Sequence, residues 1–436
     1  MRSTADNDPE LLRAVNAHRA GQAADAEAHY RAFLRGHAHH AGANHNLGLL
    51  LNQRGETSAA LGHLKAALDA DPGQGQYWLS YAKALLAAGR NRESLELLLQ
   101  GRQRGLSGPA MESLLAKAQV EPDRAGDAQA AIAHYREIVK REPGNAEAHF
   151  RLGSLLSENG AVAEGFAHYM RRAELVWNTN APPPSAGQPE HRVKHDREQA
   201  DYLADRGVSG FHLEDGARLA GPAVNTANAA PNLLAQWRDS DPQLVVIENF
   251  LTPQALAKLR TYCAGSTIWR RNYDAGYIGG TPEDGLACPL MAQIAEEIRT
   301  TFAAILGEHR FRYLGAFKYD STLSTGTNIH ADNAAINVNF YIAPDEANLD
   351  PESGGMDVWN VSPESEQHMR HLNGDEAAAK EFLARSKARL TRIPHRANRA
   401  VIFRSDLIHK TSDCRFAEGY LNKRINISLL YGDRPA

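Results

Sequence analysis

Three residues in the C-terminal part of the sequence are of the types that hold a redox-active metal. His330 and Asp332 are separated by one residue, and His409 follows soon after the apolar run 400–403. Two imidazoles and one carboxylate are the ligand set of oxygen-activating non-haem Fe(II), because they occupy one face of the octahedron and leave the opposite face open. In an extended segment, residues i and i+2 point to the same side, so His330 and Asp332 can bind one ion together. The sequence therefore predicts an iron site with these three residues as its metal ligands and catalytic set.

A late arginine predicts a binding site for a second small molecule. Arg424 begins the segment 424–431, in which polar and apolar residues alternate. Such alternation is typical of a strand, and it places Arg424, Asn426 and Ser428 on one face. A guanidinium buried on that face needs an anionic partner, and its planar fork binds a carboxylate through two hydrogen bonds. We therefore expect a dicarboxylic acid co-substrate at Arg424.

The segment from about residue 243 to 436 resembles the Fe(II)- and 2-oxoglutarate-dependent dioxygenases, and within them the prolyl-hydroxylase-like type. The resemblance rests on the order of its parts along the chain. These are a strand at 244–251, a helix that Thr252 would cap and Pro253 would begin, a second helix at about 286–306, Tyr319, the His-x-Asp pair, Gly354-Gly355, the distal histidine and the late arginine. The family implies a double-stranded β-helix, or jelly-roll, with flanking helices.

The resemblance also assigns roles to individual residues. It implies that the three predicted ligands hold iron and that Arg424 binds the far carboxylate of 2-oxoglutarate. Tyr319 would assist Arg424, and Tyr341 is a further candidate for the same pocket. Many relatives carry serine two residues after the arginine, whereas this chain has Asn426 there and Ser428 at the next inward position.

The activity that the resemblance implies is hydroxylation of an unactivated C–H bond. The cofactor would be Fe(II), with 2-oxoglutarate as co-substrate, O2 as oxidant and ascorbate as an auxiliary reductant. The products would include succinate and CO2. Related halogenases lack the carboxylate ligand, so Asp332 favours hydroxylation over chlorination.

We expect this oxygenase domain to span 242–436, with an insert at about 362–398. The insert is rich in basic residues and predicts a helix over about Asp375–Arg389. Two interpretations of the insert are open. It is either a lid or substrate guide, or a solvated helix without a role. The segment Gly276–Gly280 has the glycines of a phosphate-binding loop without the strand and helix around them, so we interpret it as an ordinary loop.

The N-terminal part shows a periodic pattern of glycines. Gly21, Gly55 and Gly89 are each 34 residues apart, and Gly126 and Gly160 repeat that spacing. Small residues recur five positions after each glycine and large ones nine positions after. A period of 34 residues is the length of a tetratricopeptide repeat. Residues 8–177 therefore resemble about five such repeats, an α-solenoid whose groove binds peptides or proteins.

The repeats suggest what the predicted enzyme acts on. A repeat array tethered to a catalytic domain raises the local concentration of a bound polypeptide, so we expect a protein or peptide substrate. A small-molecule hydroxylase with repeats used for assembly is one alternative. A repeat scaffold or sensor with little turnover is another. Residues 178–241, which begin with a proline-rich stretch, are predicted to be a linker that is partly helical or mobile.

Composition agrees with a multidomain protein of mixed α and β structure. With 436 residues, 43% of them hydrophobic, the chain can bury two cores. A net charge of -4 indicates no general affinity for nucleic acid or for a membrane surface. Three cysteines without metal-ligand spacing predict reduced thiols. The N-terminus lacks the apolar core of a signal peptide, so a cytoplasmic location is expected.

Overall fold

The computed structural model describes residues 8–106, 108, 111, 114–115, 118, 125–178, 188–229, 232–273, 275–320, 322 and 328–434. Packing divides the chain into two compact units, Met1–Ala133 and His134–Ala436. Residues 179–187, which contain the prolines at the start of the predicted linker, lie outside the described residues.

Paired helices build the first unit. They are α1 (Pro9–Arg19), α2 (Ala23–Gly36), α3 (Ala41–Gln53), α4 (Thr57–Ala70), α5 (Gly75–Ala87) and α6 (Asn91–Gln103). Gly21, Gly55 and Gly89 join the helices of each pair in the left-handed conformation, with φ of 73°, 79° and 70°. That conformation is costly for a residue with a Cβ atom, which explains why glycine recurs there. The large residues of the pattern, such as Tyr30 and Leu64, are buried between the helices.

Three further helices continue the periodic pattern, namely α7 (Ala125–Arg141), α8 (Ala146–Glu158) and α9 (Val162–Trp177). The pair α8–α9 packs as part of the second unit. Phe166 and Tyr169 of α9 share one apolar core with Phe311 of the sheet region. At the end of α9, the Trp177 indole N–H donates to Asp284 Oδ1 at 3.2 Å. The last helix pair of the repeat pattern therefore also packs against the sheet region and contributes to its core.

Two antiparallel sheets form the centre of the second unit. Their strands are β1 (Leu244–Ile247), β2 (Arg271–Tyr273), β3 (Tyr277–Gly280), β4 (Phe311–Tyr319), β5 (Ile336–Tyr341), β6 (Met356–Trp359), β7 (Leu390–Ile393), β8 (Ala400–Arg404), β9 (His409–Thr411) and β10 (Arg424–Tyr431). The larger sheet has seven strands in the order β1-β8-β5-β10-β4-β3-β2, and the smaller has the order β7-β6-β9. Val358 and Ile393 of the smaller sheet pack against Tyr341, Val401 and Phe403 of the larger one. The two sheets are therefore stacked layers.

Helices surround these sheets. They are α10 (Glu190–Ala204), α11 (Leu233–Asp239), α12 (Pro253–Gly265), α13 (Pro289–Thr301), α14 (Ala303–Leu306), α15 (Glu366–Gly374) and α16 (Glu376–Arg385). Thr252 caps α12 as its sequence predicts, since its hydroxyl accepts from the Ala255 N–H at 3.3 Å. Apolar residues of α12 and α13 cover one face of the seven-stranded sheet. None of the described helices is long and apolar enough to cross a membrane.

One sequence interpretation is wrong, and a second is corrected at one helix end. Tyr277–Gly280 is strand β3 rather than a loop, because it pairs with both β2 and β4. Glycine has a low strand preference, but a Cβ atom at Gly279 would lie 2.8 Å from the Tyr273 ring, so that ring needs the space. The predicted helix of the insert ends at Arg385 instead of residue 389. Lys387 has a φ of 50°, which is outside helical geometry, and a second helix, α15, precedes it.

Candidate metal centre and co-substrate site

The three predicted metal ligands lie together in the second unit. One ligand atom from each of His330, Asp332 and His409 lies within 4.8 Å of the others. In the part of the chain that the structure describes, this is the one group of three or more His, Cys, Asp or Glu residues that is close enough to hold a metal ion. His409 Nε2 and Asp332 Oδ2 are 3.5 Å apart. A nitrogen and oxygen set of this kind suits Fe(II).

Backbone hydrogen bonds bring the ligands together. The His330 N–H donates to the His409 carbonyl at 3.0 Å, and the His409 N–H donates back to the His330 carbonyl at 2.8 Å. The Asp332 N–H donates to the Ser405 carbonyl at 3.0 Å. The His-x-Asp segment forms only an isolated bridge with the start of β9, outside the named strands. The position of the His-x-Asp segment therefore depends on its hydrogen bonds to residues 405–409 rather than on continuous pairing with a strand.

Hydrogen bonds to the imidazoles leave the correct nitrogens available for a metal. His330 Nδ1 lies 2.7 Å from the Asn328 carbonyl, and His409 Nδ1 lies 2.8 Å from the Leu407 carbonyl. A carbonyl can only accept, so each Nδ1 carries a proton and each Nε2 is the nitrogen left for a metal. Asn337 Nδ2 donates to Asp332 Oδ2 at 2.8 Å and orients the carboxylate. Supporting bonds of this type are usual around metal ligands.

Electrostatics favour the protonation states that bind a cation. Burial lowers the pKa of His330, and the neighbouring His409 lowers it further. Burial opposes ionisation of Asp332, but hydrogen bonding and charge from His409, with help from His330 and Asn337, hold its pKa below the usual value. A neutral imidazole and an ionised carboxylate are the forms that coordinate metal.

Arg424 is buried without a carboxylate partner. It is 1% exposed. Its Nε donates to the Gly354 carbonyl at 2.5 Å, one terminal nitrogen to Asn426 Oδ1 at 2.7 Å and the other to the Gly355 carbonyl at 3.0 Å. All these acceptors are neutral, and no ion pair to Arg424 occurs among the described residues. A buried cation in this state is costly, and a bound anion would offset the cost.

A row of stacked side chains leads to Arg424. Across β3, β4 and β10, Tyr277 is opposite Tyr319, and Tyr319 is opposite Arg424. The Tyr273 and Tyr277 rings stack at 4.5 Å, and the Tyr277 and Tyr319 rings at 4.7 Å. The guanidinium carbon lies 4.6 Å from the centre of the Tyr319 ring. The register of the sheet thus places the Tyr319 ring against the Arg424 guanidinium and restricts that side chain.

The metal ligands and Arg424 face one cavity of about 560 Å³. Tyr319, Asn426 and Ser428 also line it. Tyr341 does not line it; its ring lies 5.3 Å from the Arg424 guanidinium carbon, and its buried hydroxyl has no hydrogen-bond partner among the described residues.

Several lining residues were missed by sequence reasoning. They are Tyr273, Tyr277, Tyr313, Phe317 and Asn373. Tyr313 and Phe317 could have been found, because they share strand parity with Tyr319. The other three could not, because the spacing of Tyr273, Tyr277 and Asn373 in the sequence does not indicate a site. The aromatic side chains make one wall of the cavity apolar, which favours exclusion of water around the metal ligands.

Comparison with protein families identifies the helix pairs. Models of the tetratricopeptide repeat match residues 11–75, 51–118 and 123–181. These segments carry tetratricopeptide repeats. The 34-residue period therefore predicted the repeat type correctly, and the last matched segment contains α8 and α9 of the second unit. No curated protein sequence matches the chain.

Solved structures with local similarity include two repeat proteins and one enzyme. The protein MamA covers 40% of this chain and 96% of its own length, at 15% identity and a TM-score of 0.34. YrrB, a TPR protein with an unusual peptide-binding site, covers 45% of this chain and 93% of its own, at 15% identity and a TM-score of 0.33. SnoN, a non-heme alpha ketoglutarate dependent epimerase from nogalamycin biosynthesis, covers 48% of this chain and 87% of its own, at 16% identity and a TM-score of 0.36. Such scores are too low to show a common fold.

Proposed function

We propose that this protein is an Fe(II)- and 2-oxoglutarate-dependent dioxygenase that hydroxylates a polypeptide recruited by its tetratricopeptide repeats. One observation carries the proposal. A three-residue metal-ligand set and a buried arginine without an anionic partner face the same cavity. The first suits Fe(II), and the second suits the far carboxylate of a dicarboxylic co-substrate. On this proposal the two stacked sheets are the jelly-roll of the dioxygenase family.

The residues of the site have separable tasks in such a reaction. Fe(II), with 2-oxoglutarate and O2, would supply an oxidant strong enough to replace hydrogen by hydroxyl at an unactivated carbon, with succinate and CO2 as co-products. His330, Asp332 and His409 would hold the metal through two Nε2 atoms and a carboxylate oxygen. Arg424 would bind the far carboxylate of the co-substrate and so fix its direction in the cavity, with Tyr319 packed on the guanidinium.

The buried polar atoms around Arg424 support a carboxylate at this end of the cavity. The guanidinium has five N–H groups, and its three hydrogen bonds to Gly354, Gly355 and Asn426 all go to neutral oxygens, so it has further donors for a carboxylate. The Tyr319 hydroxyl lies 3.3 Å from Thr411 Oγ1, so it can still donate or accept another bond. Charge-assisted bonds to a carboxylate would satisfy these donors. Asn426 occupies the position at which many relatives carry serine. Its Oδ1 already accepts a hydrogen bond from Arg424 and helps to orient the guanidinium.

Anaerobic titration of the purified protein with Fe(II) and 2-oxoglutarate tests the metal and co-substrate part of the proposal. The chelate of the two gives a visible charge-transfer band. A saturable band that requires both components would support the proposed function. Its absence at millimolar 2-oxoglutarate would contradict the proposal and leave a repeat-based binding protein.

Recruitment by the repeats needs a separate test, and the packing decides where to truncate. Removal of residues 1–177 would also remove Phe166 and Tyr169 from the core of the second unit. Removal of residues 1–133 retains that core. We expect the shorter truncation to keep succinate formation and to lose hydroxylation of peptides from a proteome-derived library, measured by mass spectrometry. Unchanged peptide hydroxylation would instead favour repeats that serve assembly.

A further inference from the structure

The insert at 362–398 packs against the segments that carry the metal ligands. One apolar cluster joins its buried residues to Ile329, Ala331 and Ile408. The insert contributes Met369, Leu372 and Ala379 to this cluster. Each of the three residues it contacts is next in sequence to a metal ligand, and neighbours in an extended chain point to opposite sides. The insert therefore supports the side of these segments that faces away from the metal.

Asn373, at the end of α15, makes two hydrogen bonds to a single residue of the metal-binding segment. The Ala331 N–H donates to Asn373 Oδ1 at 2.9 Å. Asn373 Nδ2 donates to the Ala331 carbonyl at 2.8 Å. Ala331 is 1% exposed and lies between His330 and Asp332. Asn373 thus holds the peptide groups that connect two of the three ligands.

This pair of bonds takes the place of a neighbouring strand. In an antiparallel pair, one residue exchanges both its N–H and carbonyl bonds across one edge, and the next residue faces the other edge. His330 exchanges both bonds with His409. Ala331 faces the opposite edge, where the Asn373 amide provides one acceptor and one donor. The short His-x-Asp segment is therefore held along both edges, although it belongs to no sheet.

We propose that Asn373 is a positioning residue of the metal site, which holds the Ala331 backbone so that His330 and Asp332 present their ligand atoms to one ion. This role rests on the proposed iron site. It also gives the insert a function other than that of a lid or a solvated helix. Asn373 also lines the cavity, so its contact with Ala331 lies directly beside the proposed site of Fe(II) and 2-oxoglutarate.

Two substitutions separate this role from general packing. Asn373→Leu and Asn373→Ala both remove the donor and the acceptor, and neither adds a charge near the metal. Asn360→Leu is the matched control, because Asn360 flanks the insert and also uses its amide oxygen to bind a backbone N–H, that of Arg389 at 2.7 Å. Among the described residues, Asn360 makes no hydrogen bond to the metal-binding segment 328–332. Loss of a group that supports a metal ligand typically weakens metal binding about 10- to 100-fold.

The experiment uses the full chain without metal and Mn(II) as a redox-stable probe. Mn(II) binding is measured by calorimetry, and amide exchange is measured on a peptide that covers 328–336. We expect both Asn373 variants to bind Mn(II) about 10-fold more weakly than the wild type, which is the lower end of the 10- to 100-fold range. The effect should be at this end because Asn373 is exposed to the cavity, where water can replace part of its hydrogen bonding. The Ala331 amide should exchange faster in both variants, and Asn360→Leu should match the wild type in both measurements.

Two results would contradict this role. Wild-type Mn(II) affinity in folded Asn373 variants would overturn it, and so would equal weakening in Asn360→Leu, which would indicate general loosening of the insert. If Asn373→Leu does not fold, Asn373→Ala decides, since it leaves the apolar cluster unchanged. Absence of Mn(II) binding by the wild type would instead count against the iron site itself, so the two failures are distinguishable.

Discussion

The two ends of the cavity are built in different ways. At the metal end, His330 and Asp332 lie on a segment outside the strands, and backbone bonds to 405–409 and the Asn373 amide hold them. At the other end, Arg424 begins a regular strand and its neighbours follow from the register of three strands. The metal end therefore depends on irregular segments that meet through tertiary contacts. The arginine end depends on strand parity and ring stacking.

On the proposed function, this difference predicts that a substitution at each end changes a different measured quantity. Loss of a metal ligand should abolish metal binding and, with it, every property that depends on metal. Loss of a group at the arginine end should weaken 2-oxoglutarate binding and leave the metal affinity nearly unchanged. The four predictions below run from the largest expected effect to the smallest.

The largest effect is expected for His409→Ala. Removing one of three protein ligands should weaken Fe(II) binding more than the roughly 10- to 100-fold typical of supporting residues, and the charge-transfer band with 2-oxoglutarate should disappear. Anaerobic titration measures both. His371→Ala, at an exposed histidine of α15, is the control and should behave as the wild type. A normal band in His409→Ala would remove this residue from the metal site.

Arg424→Gln should separate the two ends. Loss of charge-assisted bonds to a carboxylate should cost about 3 kcal/mol, or roughly 100-fold in 2-oxoglutarate affinity, whereas Mn(II) affinity should change less than about twofold. Calorimetric titration of the same preparation with each ligand measures the ratio. Arg385→Gln, at the exposed end of α16, is the control. A comparable loss of metal affinity in Arg424→Gln would show that the two ends are not independent.

A buried histidine beside the arginine end should make the stability of the protein depend on pH. His395 is 2% exposed, and burial lowers its pKa to about 3, with smaller contributions from Arg424, Arg399 and Arg260. Above about pH 6.5, His395 is neutral in both the folded and unfolded states and contributes no pH dependence. As the pH falls from 6.5 towards 3, only the unfolded state takes up the proton, so the free energy of unfolding decreases.

At pH 5 this contribution is about 2 kcal/mol for one histidine. Denaturant unfolding of the metal-free protein at pH 7 and pH 5, for the wild type and for His395→Asn, measures the difference. The variant should lose less stability than the wild type on going to pH 5. Equal losses in the two proteins would mean that His395 does not stay neutral in the folded state.

The smallest effect is expected for Tyr277→Ala, in the middle of the stacked row. The substitution leaves Arg424 and its hydrogen bonds in place and removes the ring that supports Tyr319. An aromatic pair contributes about 1 kcal/mol beyond its area, so 2-oxoglutarate affinity should fall roughly fivefold. Tyr277→Phe keeps the ring and should bind 2-oxoglutarate like the wild type. Equal affinities in all three proteins would show that the row does not act on Arg424.

The sequence predicted the parts of this protein whose signal is local. The 34-residue period identified the repeats, because each repeat forms the same helix pair, and the family models confirm this. Alternation along 424–431 predicted the two faces of β10, since a strand turns successive side chains to opposite sides. Ile427 and Leu429 accordingly lie in the core, and Arg424 and Asn426 face the cavity.

The sequence did not predict features that depend on distant partners. Tyr277 lies in a glycine-rich segment that is a strand only because β2 and β4 flank it. Asn373 is one of several amides in the insert, and nothing in its spacing relates it to Ala331, which is 42 residues away. Tyr169 follows the repeat pattern, yet it packs together with Phe166 in the core of the second unit.

By itself, the sequence determined which residue types were available for chemistry and which helices and strands carry them, because periodicity and alternation are properties of neighbouring residues. Only the tertiary structure decided which of these residues share a cavity, which amide holds the metal-binding segment and which repeat joins the sheet-containing unit. Those outcomes depend on packing between segments far apart in the chain, and the free energy of such contacts leaves no local pattern in the sequence.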